Sequence, residues 1–171
     1  TDADGYQYEY NGNGNLTKKT DAKGQVIIYV YDELNRLTEV RYPDTSTVAF
    51  SYDANGNMTA MTDSLGTTSL LYDELNRLKQ VTDPFGNIVK HGYDETGNRT
   101  SLTYPDNTVV AYGYDALNRL QTVTDWQSRI TSYTYDNAGR LLGAAYPNGT
   151  TTGIAYDPAN RLTDYINMKG V

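Results

Sequence analysis

The chain has 171 residues with a 38% hydrophobic share, enough for one domain with a sizeable core, but its aromatic residues are 17 Tyr against two Phe and one Trp. A buried tyrosine needs a partner for its hydroxyl, so this composition predicts a half-polar interior, as in a sheet wet on one face or lining a polar cavity. A formal net charge of -7 repels phosphate backbones and anionic headgroups, which excludes nucleic acid as a partner, and the absence of Cys excludes disulfides, thiolate metal sites and a Cys nucleophile.

From the N-terminus, Tyr6-Gln7-Tyr8-Glu9-Tyr10 alternates as a strand does, with neither the basic cap nor the apolar stretch of a signal peptide before it. A marker tyrosine then recurs at Tyr10, Tyr31, Tyr52, Tyr72, Tyr93, Tyr114, Tyr135 and Tyr156, spaced by 21 residues except for 20 between Tyr52 and Tyr72. Asn11 follows the first marker, and Asp32, Asp53, Asp73, Asp94, Asp115, Asp136 and Asp157 follow the others. Four residues after each marker stands Gly or Asn: Gly14, Asn35, Gly56, Asn76, Gly97, Asn118, Gly139 and Asn160. These are the two residue types that tolerate positive φ, so each segment predicts a hairpin turn that Asp caps and Gly or Asn completes in the left-handed region.

Half a repeat later comes a second reversal. It is Tyr42-Pro43-Asp44, Tyr104-Pro105-Asp106 and Tyr146-Pro147-Asn148 in one form, and Asp21-Ala22-Lys23-Gly24, Asp63-Ser64-Leu65-Gly66 and Asp83-Pro84-Phe85-Gly86 in the other. The strands entering the markers alternate, with Ile27, Tyr29 and Tyr31, then Val48, Phe50 and Tyr52, and later Val110, Tyr112 and Tyr114 on one face. The returning strands place apolar residues three apart, as at Leu37 and Val40. An ideal strand would put those on opposite faces, which predicts a bulge or a strong local twist.

The sequence therefore predicts an all-β chain, a single array of eight hairpin repeats over residues 1–171 whose pattern reads as cut at both ends from something longer. Two architectures fit: a spiralling antiparallel sheet, part of a solenoid or hollow shell, or a four-bladed propeller with two repeats per blade. The propeller demands a clean two-repeat period, and the second turns break it where Asp63 and Asp83 follow one another. A spiral, whose units touch only neighbours, tolerates that slip, and it is the preferred reading. No apolar run approaches the roughly 20 residues of a membrane helix, so no membrane insertion is expected.

The recurring segments Tyr31-Asp32-Glu33-Leu34-Asn35-Arg36-Leu37, Tyr72-Asp73-Glu74-Leu75-Asn76-Arg77-Leu78, Tyr114-Asp115-Ala116-Leu117-Asn118-Arg119-Leu120 and Tyr135-Asp136-Asn137-Ala138-Gly139-Arg140-Leu141 resemble the RHS or YD-repeat family. The resemblance runs along essentially the whole chain. It implies repeats wound into a large hollow β-shell that in bacterial toxins encloses a C-terminal toxin until delivery, and that serves adhesion in teneurin-type proteins. It also implies a secreted or cell-surface location, with neighbouring repeats of the same or another chain and a polypeptide cargo as partners. The Pro-rich motif and aspartyl self-cleavage site of whole members are missing from this sequence, so neither self-cleavage nor toxicity transfers to these residues.

No catalytic, metal or cofactor residues are assigned. His91, the sole histidine, offers a general base or a ligand, but it occupies a position that other repeats fill with Tyr29, Phe50, Leu70, Tyr112, Tyr133 or Ile154, and packing is the simpler reading. Asp53, Asn55 and Asn57 echo a calcium loop that fails at Met58 and Ser64, where Gly and Glu belong, so they are read as turn caps. The post-tyrosine aspartates recur once per turn, unlike a catalytic pair, and Arg36, Arg77, Arg119, Arg140 and Arg161 stand placed to pair with them, weakly as exposed ion pairs do. Two functional classes fit: a non-enzymatic shell segment that helps encapsulate a toxin, or an adhesion module whose exposed Tyr and Asn bind glycans.

Overall fold

The computed structural model describes residues 5–169, all of them in strands, turns and connecting segments without a helix. The outermost residues of the expected array, 1–4 and 170–171, lie outside the described residues. The chain divides into two compact units, residues 1–88 and 89–171.

In the first unit, strands β1 (Gln7–Tyr10), β2 (Leu16–Thr20), β3 (Val26–Tyr31), β4 (Leu37–Arg41), β5 (Thr47–Tyr52), β6 (Met58–Asp63), β7 (Gly66–Tyr72) and β8 (Leu78–Thr82) each pair antiparallel with the next in sequence. The second unit repeats the scheme with β9 (Ile88–Tyr93), β10 (Arg99–Thr103), β11 (Val109–Tyr114), β12 (Leu120–Thr124), β13 (Ile130–Tyr135), β14 (Leu141–Ala145), β15 (Thr151–Tyr156) and β16 (Leu162–Met168). Eight successive strands in one continuous ladder exclude the propeller. Its blades would end after four strands, because each blade is a separate sheet.

Every marker-tyrosine hairpin has the same geometry. In the first such turn with Asp, the amide of Asn35 donates to the Asp32 carbonyl at 3.0 Å, the amide of Asp32 donates to the Arg36 carbonyl at 2.9 Å, and Asn35 sits at φ 61. This is a type I turn closed by a left-handed bulge residue, the form favoured by loops of this length. Gly14, Gly56, Gly97, Gly139, Asn76, Asn118 and Asn160 all take positive φ as expected.

The predicted bulge is present beside each of these turns. Tyr31 lies opposite Leu37 and Val30 opposite Glu39, so Thr38 is skipped and the register shifts. The extra residue restores Leu37 and Val40 to one face, opposite Tyr31 and Tyr29. Val40, Val110 and Ala144 are the buried apolar side chains among the described residues, and all lie on this face.

The second turns include one that Gly and Pro do not mark. Asp125-Trp126-Gln127-Ser128 closes with Ser128 at φ 59, and Thr45 and Asn107 fill the same left-handed position in the Tyr-Pro-Asp turns. The lone 20-residue spacing arises here too: Asp63 pairs directly with Gly66 at φ 127, a two-residue loop that omits the bulge residue.

Candidate functional site: the row of tyrosine-aspartate turns

Each aspartate that follows a marker tyrosine acts through both carboxylate oxygens. Asp32 Oδ1 accepts the amides of Leu34 (3.0 Å) and Arg36 (2.9 Å), while Oδ2 accepts Arg36 Nε at 2.8 Å. Asp73, Asp115, Asp136 and Asp157 repeat this with Arg77, Arg119, Arg140 and Arg161 at 2.6–2.7 Å, as the spacing predicts. Arg129 and Asp125 form the same pair at 2.6 Å in a second turn, where the sequence reading had not placed one. The backbone amide of Arg36 and then its guanidinium hold the Asp32 carboxyl below the ordinary carboxylate range.

The calcium-like segments are turn caps. Asp53 Oδ1 accepts the amides of Asn55 and Asn57, and Oδ2 accepts Asn57 Nδ2 at 3.0 Å; Asn11 Oδ1 accepts the amides of Asn13 and Asn15. Among the described residues no cluster of three His, Asp or Glu side chains is placed to hold a metal ion. His91 lies opposite Leu102 on the neighbouring strand, and burial first, then the charge of Arg99, holds its imidazole below its ordinary value.

Tyr52, Tyr72, Tyr114 and Tyr135 among the marker tyrosines reach backwards. Tyr52 donates its hydroxyl to the Leu37 carbonyl at 2.7 Å, Tyr72 to Met58 at 3.0 Å, Tyr114 to Arg99 at 3.1 Å and Tyr135 to Leu120 at 2.8 Å. Each acceptor is the first strand residue after the preceding turn. The guanidinium of the preceding turn then covers the ring: Arg36 stands 4.7 Å from the Tyr52 centroid, Arg119 4.7 Å from Tyr135 and Arg140 4.9 Å from Tyr156. Tyr52→Phe is expected to destabilise the chain by about 1 kcal/mol, the usual net value of one such bond. Urea unfolding followed by circular dichroism would measure it, and an unchanged midpoint would show the hydroxyl bond to be dispensable.

Gly and Asn at the left-handed position are not interchangeable. They alternate strictly, and the two kinds of turn reach different acceptors. From the Gly turns, side-chain donors reach forward to the left-handed Asn: Asn13 and Asn15 Nδ2 donate to Asn35 Oδ1 at 2.7 and 2.8 Å, and Asn55 and Asn57 Nδ2 to Asn76 Oδ1 at 2.9 and 2.6 Å. In the second unit Thr96 Oγ1 and Asn98 Nδ2 donate to Asn118 Oδ1, and Arg140 Nη1 to Asn160 Oδ1. From the Asn turns, arginine reaches forward to a backbone carbonyl: Arg36 Nη1 donates to the Asp53 carbonyl at 3.2 Å and Arg119 Nη1 to the Asp136 carbonyl at 2.9 Å. The left-handed Asn thus does two things that Gly cannot combine, taking the backbone conformation and offering an acceptor.

The geometry describes residues that recur because each repeat must hold the next, and comparison with known proteins agrees. The RHS Repeat family model matches residues 1–26, 10–47, 31–68, 72–109, 102–130 and 114–151. No curated protein sequence matches the chain. Among solved structures, the crystal structure of TcdB2-TccC3-Cdc42 superposes with a TM-score of 0.75 at 20% identity, over 92% of this chain and 10% of that one. The Tc holotoxin pore of Photorhabdus luminescens gives a TM-score of 0.73 at 20% identity, over 95% of this chain and 10% of that one. The chain therefore spans about a tenth of the structures it matches, and the likeness establishes the fold. With matching segments spread from the first turn to the last but one, each carrying a marker tyrosine and a left-handed Gly or Asn four residues on, the chain belongs to the RHS repeat family.

Proposed function

We propose that this chain is a non-enzymatic segment of the wall of a hollow β-shell that encloses a polypeptide toxin cargo and aids its delivery, acting outside the producing cell or at a cell surface. The observation that carries this reading is the use to which the recurrent polar residues are put. Aspartates cap their own turns and hold their own arginines; tyrosine hydroxyls, arginine forks and asparagine amides bind the neighbouring repeat. Such side chains stiffen a wall and are not gathered into one pocket, where a catalytic set would have to meet. The likeness of fold to segments of Tc toxin structures supports the same reading.

Light scattering of the 171-residue chain over a wide range of concentration tests the proposal. The mass is expected to rise above 19.0 kDa as sheet edges find one another. A monomer that persists at every concentration would point instead to a self-contained binding module.

A further inference from the structure

We propose that Asn11 is a site of spontaneous deamidation, and that its conversion to aspartate completes the one marker-tyrosine turn encoded without its aspartate. Seven of the eight marker tyrosines are followed by Asp, and Tyr10 alone is followed by Asn. Gly12 comes next, and a glycine crowds its own amide nitrogen least of all residues. Three further Asn-Gly pairs, Asn13-Gly14, Asn55-Gly56 and Asn148-Gly149, lie in the chain, so the dipeptide alone does not single out Asn11.

Position in the turn does so. Gly14, Gly56 and Gly149 close their turns, and their amides donate to the carbonyls of Asn11, Asp53 and Tyr146 at 3.0, 3.1 and 3.0 Å. A nitrogen held in this way must give up its bond before it can attack a neighbouring side chain. Gly12 stands at the second position of its turn, where its amide donates to nothing among the described residues, and the Asn11-Gly12 pair is exposed.

The Asn11 side chain is prepared at one end and unsatisfied at the other. Its Oδ1 accepts the amides of Asn13 and Asn15, both at 3.0 Å, and these donors would hold the negative oxygen that forms when a nitrogen adds to Cγ. Its Nδ2 has no partner among the described residues. Where an aspartate opens the turn and Asn stands at the fifth position, the second carboxylate oxygen accepts that Asn: Asp53 from Asn57 at 3.0 Å, Asp83 from Asn87 at 2.8 Å and Asp94 from Asn98 at 3.0 Å. Asn15 occupies the fifth position of the first turn, but there Asn11 offers it an NH2 group, and its own Nδ2 reaches only Asn35.

In the reaction hydroxide removes the Gly12 amide proton and the nitrogen bonds to Asn11 Cγ. The Cγ-Nδ2 bond breaks, and ammonia leaves with a proton from water. A water molecule then opens the cyclic imide, and nothing is oxidised or reduced. Addition of water at Cγ gives aspartate on the original backbone, with an oxygen facing Asn15 Nδ2. Addition at the backbone carbonyl gives a β-linked residue that lengthens the turn by a carbon and loses the cap, so aspartate is the product that the turn retains.

Peptide mapping by mass spectrometry, after the folded chain is incubated in mildly alkaline buffer, tests the proposal. A gain of about 1 Da, localised by fragmentation, is expected at Asn11. It should appear roughly tenfold faster than at Asn13, Asn55 or Asn148, the factor for releasing one hydrogen bond. In urea strong enough to unfold the chain, the four rates should converge. Gly12→Ala should suppress the conversion with the circular dichroism unchanged, because a Cβ there meets nothing within 4 Å. Asn11→Asp, made directly, should melt above the unconverted chain at neutral pH. Equal rates at the four sites of the folded chain, an Asn11 that stays intact, conversion undiminished in Gly12→Ala, or an Asn11→Asp chain that melts no higher would each overturn the proposal.

Discussion

Gly143→Ala should destabilise the second unit more than any other single-methyl change in the chain, by about 3 kcal/mol, the upper range for forcing an extra carbon into a packed site. Gly143 is buried on β14, and a Cβ there would run into the backbone carbonyl of Thr152 on β15. A flexible side chain could turn away; a ladder carbonyl cannot move without pulling its strand out of register. Gly153, directly opposite Gly143, is the control, because a Cβ there meets nothing within 4 Å. Paired urea titrations of Gly143→Ala and Gly153→Ala would decide the matter. Equal midpoints would mean that β14 and β15 separate easily and that the close approach is not needed.

Acid should unfold the chain through its turns. The backbone amides of Arg36, Arg77, Arg119, Arg140 and Arg161 hold the carboxyls of Asp32, Asp73, Asp115, Asp136 and Asp157 below their ordinary value, and the side chains of Asn57 and Asn87 do the same for Asp53 and Asp83. Because the folded values lie below the unfolded value of about 3.9, these groups contribute their full stability above that pH and lose it as the pH falls through the folded values. Seven turns losing their caps over one window should make the melting temperature nearly flat above pH 5 and steep below pH 4, as an order-of-magnitude reading of where an aspartate titrates. Hydrogen bonds to backbone amides dominate, so added salt should barely restore the loss. A melting temperature that declines only in proportion to net charge, and recovers in salt, would assign the effect to general repulsion instead.

Much of this architecture can be read along the chain because each repeat solves the same local problem. The three-residue step from Leu37 to Val40 already demands the bulge, and Asp32 with Arg36 already spells a cap and its ion pair. What stays hidden is what one repeat does to another. The Leu37 carbonyl that receives the Tyr52 hydroxyl has no side-chain signature, and Asn35 and Gly56 look equivalent to any rule based on backbone conformation. The Asp125 turn is obscured for a local reason, since Ser128 fills a left-handed position without the expected residue type. Continuous pairing and separate blades differ in sequence only through the broken alternation at Asp63 and Asp83, because an identical turn can join strands within a sheet or between sheets.

The alternation of left-handed Gly and left-handed Asn gives the array a parity. A Gly turn sends its side-chain donors to the Asn Oδ1 of the turn ahead, whereas an Asn turn sends its arginine to a backbone carbonyl, which any turn offers. Removing one Asn repeat sets two Gly turns side by side, and the donors of the first then face a neighbour without the matching acceptor. Removing two adjacent repeats leaves every junction as it was. Such a wall keeps all its junctions when gene duplication and loss change it in even steps, so the heritable unit of the array is the pair.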